Sequence, residues 1–170
     1  TADAAVFSDG TWIIDGQGSF AWGSAGQIPV PGDYDGDGTT DAATYSPTNG
    51  MWYIRGVTTV LYGGAAGDIP IPGDYNGDGT CDRALYRWDA VEQGKWYIDI
   101  AGMPQINWGG TVSDIPVPMD YDGDGITDAV IVRDMGTALR WQILGGAIFY
   151  WGVPGDSVMT GTILGTGGQD

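Results

Sequence analysis

Three short loops concentrate the side chains that could do chemistry. They read Asp33-Tyr-Asp-Gly-Asp-Gly-Thr-Thr-Asp41, Asp74-Tyr-Asn-Gly-Asp-Gly-Thr-Cys-Asp82 and Asp120-Tyr-Asp-Gly-Asp-Gly-Ile-Thr-Asp128. Side-chain oxygens fall at loop positions 1, 3, 5 and 9. These are Asp33, Asp35, Asp37 and Asp41; Asp74, Asn76, Asp78 and Asp82; and Asp120, Asp122, Asp124 and Asp128. The backbone carbonyl of position 7 (Thr39, Thr80, Ile126) is the natural fifth protein ligand. Glycine at positions 4 and 6 permits positive φ, so the chain can wrap a small sphere. Such oxygen sets suit Ca²⁺, which accepts six to eight ligands at flexible geometry, better than Mg²⁺, which demands a rigid octahedron. Three calcium sites are therefore expected. Without a cation the crowded carboxylates would repel one another. The start resembles that of an EF-hand loop, but the ninth-position Asp and the absence of flanking helical patterns argue against that motif.

Composition agrees. Of the 22 acidic residues of the 170-residue chain all but Glu92 are Asp, and half lie in these loops. Aspartate is poor in helices and strands but good in turns and as an oxygen ligand. The formal charge is −16; three divalent ions add six positive charges and leave −10. With only six basic residues the chain has no electrostatic footprint for nucleic acid, and anionic membranes would repel it. No histidine means no imidazole base or ligand, and the lone Cys81 rules out an internal disulfide or a cysteine zinc site. Cys81, with no base beside it, is expected to be inert. No stretch of 18 apolar residues is present, so membrane insertion is not expected. No basic stretch leading into an apolar run opens the chain, so export implies a leader already removed.

The elements that must position the loops come from a tandem repeat. Ile28-Pro-Val-Pro returns as Ile69-Pro-Ile-Pro and Ile115-Pro-Val-Pro, 41 and 46 residues apart. Trp12, Trp52, Trp96 and Trp141 share one register position. Trp22-Gly, Tyr62-Gly, Trp108-Gly and Trp151-Gly share another. Each unit reads as short strands between turn signals, with no helical period. The expected fold is all-β: a β-propeller-like repeat of four short four-stranded blades in a single domain, residues 1–170. The units are 1–27, 28–68, 69–114 and 115–170. The chain is expected to begin at the second strand of a blade, while Asp156-Ser-Val-Met-Thr-Gly161 lies in register with the first. One blade is therefore expected to be completed either by strands from both ends of the chain or by a neighbouring molecule. Residues 162–170 occupy the register of a fourth loop with one carboxylate, so no site is expected there.

The repeated aromatics are read chiefly as packing between blades, with ligand stacking as the alternative. Tyr34, Tyr75 and Tyr121, second in each loop, are expected to pack beneath it. Trp88 has no equivalent in the other units and lies in the longest insertion beside Asp89, Glu92 and Gln93. It is either a glycan-stacking platform or a cover for the blade edge. The arginines are expected to pair with carboxylates. Asp68, Asp114 and Asp156 share one repeat position, which predicts a structural role.

The loops, with Trp/Tyr-Gly ahead and Asp-Ala-Ala-x-Tyr behind, resemble FG-GAP-type (VCBS-like) repeats, the units of integrin α-subunit β-propellers and of many secreted bacterial and fungal proteins. The resemblance covers nearly the whole chain and implies that each loop joins the first two strands of a blade and holds Ca²⁺. The Phe-Gly of that family is Trp-Gly or Tyr-Gly here, its Gly-Ala-Pro is missing, and four units replace the usual seven blades. The implied function is a non-catalytic, calcium-stabilised adhesion or assembly module, extracellular or on the cell surface, including a filament subunit polymerising by strand donation. Its partner would be another copy, or an extracellular glycan or protein. Two alternatives are a calcium-dependent lectin and an accessory domain of a secreted hydrolase. No carboxylate pair free of the loops stands out for catalysis.

Overall fold

The computed structural model describes residues 4–158, in which fifteen strands and no helix are found. Four small antiparallel sheets stand in a ring as the blades of a β-propeller. Blade 1 holds β1 (Ala5–Ser8), β2 (Thr11–Ile14) and β3 (Gly18–Ala21). Blade 2 holds β4 (Ile28–Pro29), β5 (Ala43–Ser46), β6 (Met51–Ile54) and β7 (Thr58–Leu61). Blade 3 holds β8 (Ile69–Pro70), β9 (Ala84–Asp89), β10 (Gln93–Ile98) and β11 (Ile106–Asn107). Blade 4 holds β12 (Ile115–Pro116), β13 (Val130–Asp134), β14 (Leu139–Ile143) and β15 (Ile148–Tyr150). Each sheet is a simple meander, so every strand pairs with its neighbour in sequence. The expected four-stranded blade is found in blades 2, 3 and 4. Among the described residues blade 1 has three strands. Asp156, Ser157 and Val158 are not in a strand, and the remainder of the expected 156–161 strand and the expected siteless 162–170 loop lie outside the described residues.

The prolines explain the inner strands. Val30, Ile71 and Val117 donate their N–H groups to Ala43, Ala84 and Val130 at 2.9, 2.9 and 2.8 Å. Backbone polar groups alternate sides along a strand, so the flanking prolines turn their missing N–H toward the edge that has no partner. Proline costs nothing in the ladder there and blunts the edge. Pro31, Pro72 and Pro118 from three blades line one cavity at the axis.

The tryptophans hold each blade together and join it to the next. Trp12, Trp52, Trp96 and Trp141 are buried, and their indole N–H groups donate to the carbonyls of Trp22, Tyr62, Trp108 and Trp151 at 3.0, 2.9, 3.0 and 2.9 Å. Tyr45 and Tyr86 lie against Trp52 and Trp96 with ring centroids 5.2 and 5.6 Å apart. The next blade closes each cluster: Leu85 of blade 3 packs with Trp52, and Ile131 of blade 4 packs with Trp96. Packing between blades is thus the role of Trp52 and Trp96, whereas Trp151 is 69% exposed.

A polar joint repeats beside each apolar one. Asp68 accepts from the N–H groups of Gly64 and Ala65 and from Arg87 of the next blade at 2.6 Å. Asp114 does the same with Gly110, Thr111 and Arg133. Burial pushes the Asp114 carboxyl up, but Arg133 and the two N–H groups outweigh it, leaving it below the usual carboxylate range. In blade 1 an uncharged residue fills the same place: Gln27 Oε1 accepts from Ser24 N–H and from the Thr44 hydroxyl at 3.0 and 2.9 Å. Arg83 pairs with Asp99. Arg55 instead lies over the Phe20 ring, 4.2 Å from its centroid.

Candidate metal centre

Each acidic loop joins the first two strands of its blade and is closed at its base by one bridge: Gly32 to Asp41, Gly73 to Asp82 and Met119 to Asp128. The glycines at positions 4 and 6 adopt positive φ in all three loops, 75–88°. A side chain would strain the backbone there. The turn is wound around the first aspartate. Asp33 accepts from Gly36 and Gly38 N–H at 2.8 Å each; Asp74 accepts from Gly77 and Gly79 at 2.7 and 2.8 Å; Asp120 accepts from Gly123 and Gly125 at 2.7 and 2.9 Å. The third and fifth residues make smaller turns of the same kind. Asp35, Asn76 and Asp122 accept from the N–H two residues on, as do Asp37, Asp78 and Asp124.

These bonds aim the oxygens at one another. Ligand atoms of Asp33, Asp35 and Asp37 all lie within 4.8 Å of one another, as do those of Asp120, Asp122 and Asp124. Oxygens bound to one Ca²⁺ at about 2.4 Å stand at most roughly 5 Å apart, so both triplets fit that ion's ligand spacing. In the middle loop Asn76 replaces one carboxylate and donates to Asp78 at 3.0 Å. The hydroxyl of Thr80 also donates to Asp78, whose pKa this bond lowers. At position 7 the N–H groups of Thr39, Thr80 and Ile126 are the donors to the fifth-position carboxylates.

Position 9 lies apart from the triplets. Asp41, Asp82 and Asp128 accept from the N–H groups of Tyr34, Tyr75 and Tyr121 at 3.0, 2.9 and 2.9 Å, bracing the loop's entry. Burial raises the pKa of Asp41 and, despite the Tyr34 N–H, the charges of Asp35, Asp37 and Asp33 add to the rise. Asp82 is raised likewise, by burial and by Asp78 and Asp74, against the Tyr75 N–H. A cation held by the triplet would relieve that repulsion. The tyrosines sit beneath the loops as expected. Their hydroxyls donate to the carbonyls of Val30, Ile71 and Val117 at 2.7, 2.7 and 3.3 Å.

Successive loops also touch one another. Cys81 N–H donates to the Asp33 carbonyl, and Thr127 N–H to the Asp74 carbonyl, each at 2.6 Å. The glycine before each of the first two loops makes room for this. A methyl group on Gly32 would stand 2.5 Å from Cys81 Sγ, and one on Gly73 would stand 2.7 Å from Thr127. The third loop has Met119 at that position. The change from Gly to Met is the one sequence signal that could have revealed the contact. Burial between loops pushes the Cys81 thiol up to about 12, which keeps it protonated at neutral pH.

Trp88, the candidate glycan platform, is half-buried and packs against the blade 3 cluster, with its indole N–H buried and unpartnered. Its insertion extends the β9–β10 hairpin, where Asp89 accepts from Val91 and Glu92 N–H at 2.8 and 2.6 Å. Comparison with known proteins finds no matching family model, no matching curated protein and no matching solved structure.

Proposed function

We propose that this chain is a non-catalytic module stabilised by calcium, used for adhesion or assembly outside the cell, and built from repeats of the FG-GAP/VCBS kind. The observation that carries the reading is the triple recurrence of one loop shape, with carboxylates gathered at ligand spacing in the first and third copies. Asp33, Asp35 and Asp37 would hold one ion, Asp74, Asn76 and Asp78 a second, and Asp120, Asp122 and Asp124 a third. Position-7 carbonyls complete each set, while Asp41, Asp82 and Asp128 brace the loop entry beside it. The ion's part is to neutralise charge and fix the loop. Weak sites of this type are filled at extracellular calcium levels, which favours the cell surface over the cytosol.

Assembly is preferred to glycan binding because Trp88 is packed into the protein rather than offered as a free face. The test is thermal unfolding with and without calcium. At 100-fold excess over its Kd each site adds about 2.7 kcal/mol. For a chain of this length that raises Tm by roughly 5–10 °C per site. A melting curve that ignores complete removal and re-addition of calcium would refute the reading.

A further inference from the structure

The chain has two Asn-Gly pairs, Asn49-Gly50 and Asn76-Gly77. The second lies inside the middle acidic loop, at a place where both sister loops carry Asp-Gly: Asp35-Gly36 and Asp122-Gly123. An asparagine followed by glycine is chemically labile, because the next main-chain nitrogen is unhindered and can attack the side-chain amide. Whether it does so in a folded chain depends on access and on what surrounds the reacting atoms.

Those surroundings favour reaction at Asn76. Residues 76–79 are exposed, so water reaches the loop. Gly77 N–H donates to Asp74 Oδ1 at 2.7 Å, which places a carboxylate to receive the proton of the attacking nitrogen. Asn76 Oδ1 accepts from Asp78 N–H at 2.8 Å, a donor aimed at the oxygen on which negative charge develops. Asn76 Nδ2, the leaving nitrogen, donates to Asp78 Oδ2 at 3.0 Å. Asn49 lacks this setting. Its Oδ1 also accepts from an N–H, that of Met51 at 3.0 Å, but Gly50 is buried and gives its own N–H to the Ser46 carbonyl at 2.8 Å, which is not a base. The Gly63 backbone lies 2.5 Å from where a Gly50 Cβ would stand, so that turn has no room to rearrange.

We infer that Asn76 is a site of spontaneous modification, hydrolysed to aspartate, and that the conversion completes the middle calcium loop. The Gly77 nitrogen gives up its proton and bonds to Asn76 Cγ, the Cγ–Nδ2 bond breaks, and ammonia departs with that proton. Water then adds to Cγ of the five-membered imide, breaking the new bond to the Gly77 nitrogen and restoring the main chain. The net exchange is one amide and one water for one carboxylic acid and one ammonia. In the sister loops an aspartate at this place accepts from the N–H two residues on, at 3.2 and 3.1 Å, as Asn76 does now. The aspartate product therefore keeps the turn. The alternative opening, to isoaspartate, would add one carbon to a main chain wound tightly on Asp74.

The consequence rests on the calcium reading above. The triplet of Asp74, Asn76 and Asp78 gains its third carboxylate and equals that of Asp33, Asp35 and Asp37. The amide that donates to Asp78 becomes an acceptor, which frees that carboxylate oxygen for the ion. Ligand charge tunes the affinity of oxygen sites. A freshly made chain then holds two strong sites and one weak one, and the weak one strengthens with age.

The experiment warms the full chain at mildly alkaline pH without calcium, folded and in urea, and maps its tryptic fragments by mass. Fragment 56–83 carries Asn76, and Asn49 falls in the fragment that ends at Arg55. In the folded chain 56–83 is expected to gain the mass of an amide-to-acid exchange, with aspartate the main product on chromatography, while the other fragment is unchanged. In urea both convert. Asn76→Asp, the finished product, binds calcium about tenfold more tightly than the fresh chain at one site in calorimetry. A folded chain whose 56–83 keeps its mass while the chain in urea converts overturns the inference. So do equal conversion of both fragments in the folded chain, isoaspartate as the main product, or a calcium affinity unchanged by Asn76→Asp. Calcium-dependent melting without the mass gain removes this inference alone. The mass gain in a chain whose melting ignores calcium removes the metal reading and its consequence, and leaves the modification.

Discussion

The N–H of Cys81 donates to the carbonyl of Asp33 across 2.6 Å, so the eighth residue of one acidic loop is bonded to the first residue of the loop before it. Asp33 is also the residue around which its own loop is wound. Order in one loop is thereby passed to the next, and Thr127 repeats the link with Asp74.

Coupled loops should bind calcium unequally after damage. Asp37→Ala removes a carboxylate from the first triplet. The expected result is loss of about a third of the calcium-induced rise in Tm, if sites contribute alike. Calorimetry should show the middle loop weakened more than the third, which is bonded to the middle loop.

The glycines that admit the neighbouring loop should tolerate no side chain. Gly32→Val and Gly73→Val each place new atoms against Cys81 or Thr127 and should destabilise by about 1–3 kcal/mol. Met119→Val, at the corresponding site of the third loop where a side chain already stands, should cost less than either. Urea unfolding at fixed calcium compares the three.

The indole bond of each blade should be worth more than its exposed counterpart. Trp52→Phe strips the N–H that serves the Tyr62 carbonyl and opens a void in a fully buried cluster. A loss of about 2–3 kcal/mol is expected. In dilute single chains Trp151→Phe, at an exposed side chain, should change stability by no more than about 0.5 kcal/mol.

The Asp114–Arg133 joint predicts an acid limb. A carboxylate whose folded pKa is depressed stabilises the fold above its unfolded value of about 3.9 and ceases to do so as pH falls through the lower folded value. Arg133→Met should therefore flatten the acid limb of a stability–pH profile measured without calcium. It should also cost about 2–3 kcal/mol at neutral pH, because it leaves a buried carboxylate without its cation.

Much of this was legible in the sequence because it was written several times. The repeats of Ile-Pro-x-Pro, of the Asp-Gly loop and of Trp gave the blades, their order and the loop positions. The Asp68 and Asp114 position was readable as structural for the same reason. What stayed hidden was whatever the repeats do not share. Gln27 replaces the aspartate of the joint by a different chemistry, so no alignment of acidic residues finds it. Asp41, Asp82 and Asp128 look equivalent to the other loop carboxylates by type, yet the backbone turns them to Tyr34, Tyr75 and Tyr121 at the loop base. The contacts of Cys81 and Thr127 run through main-chain atoms, which side-chain identity does not report.

The joints described here involve few residues, and each is confined to two adjacent blades. A glycine, a covering aliphatic residue, one polar pair and, in two cases, a loop-to-loop bond suffice. Stability in such an arrangement is close to a sum over units and the contacts between nearest neighbours. A gene encoding it can gain or lose a unit by duplication or deletion without redesigning a shared core, since each new blade arrives with both halves of its joint. The spread of the sequence among its copies then falls where the neighbours differ, as Gln27 and Met119 already do.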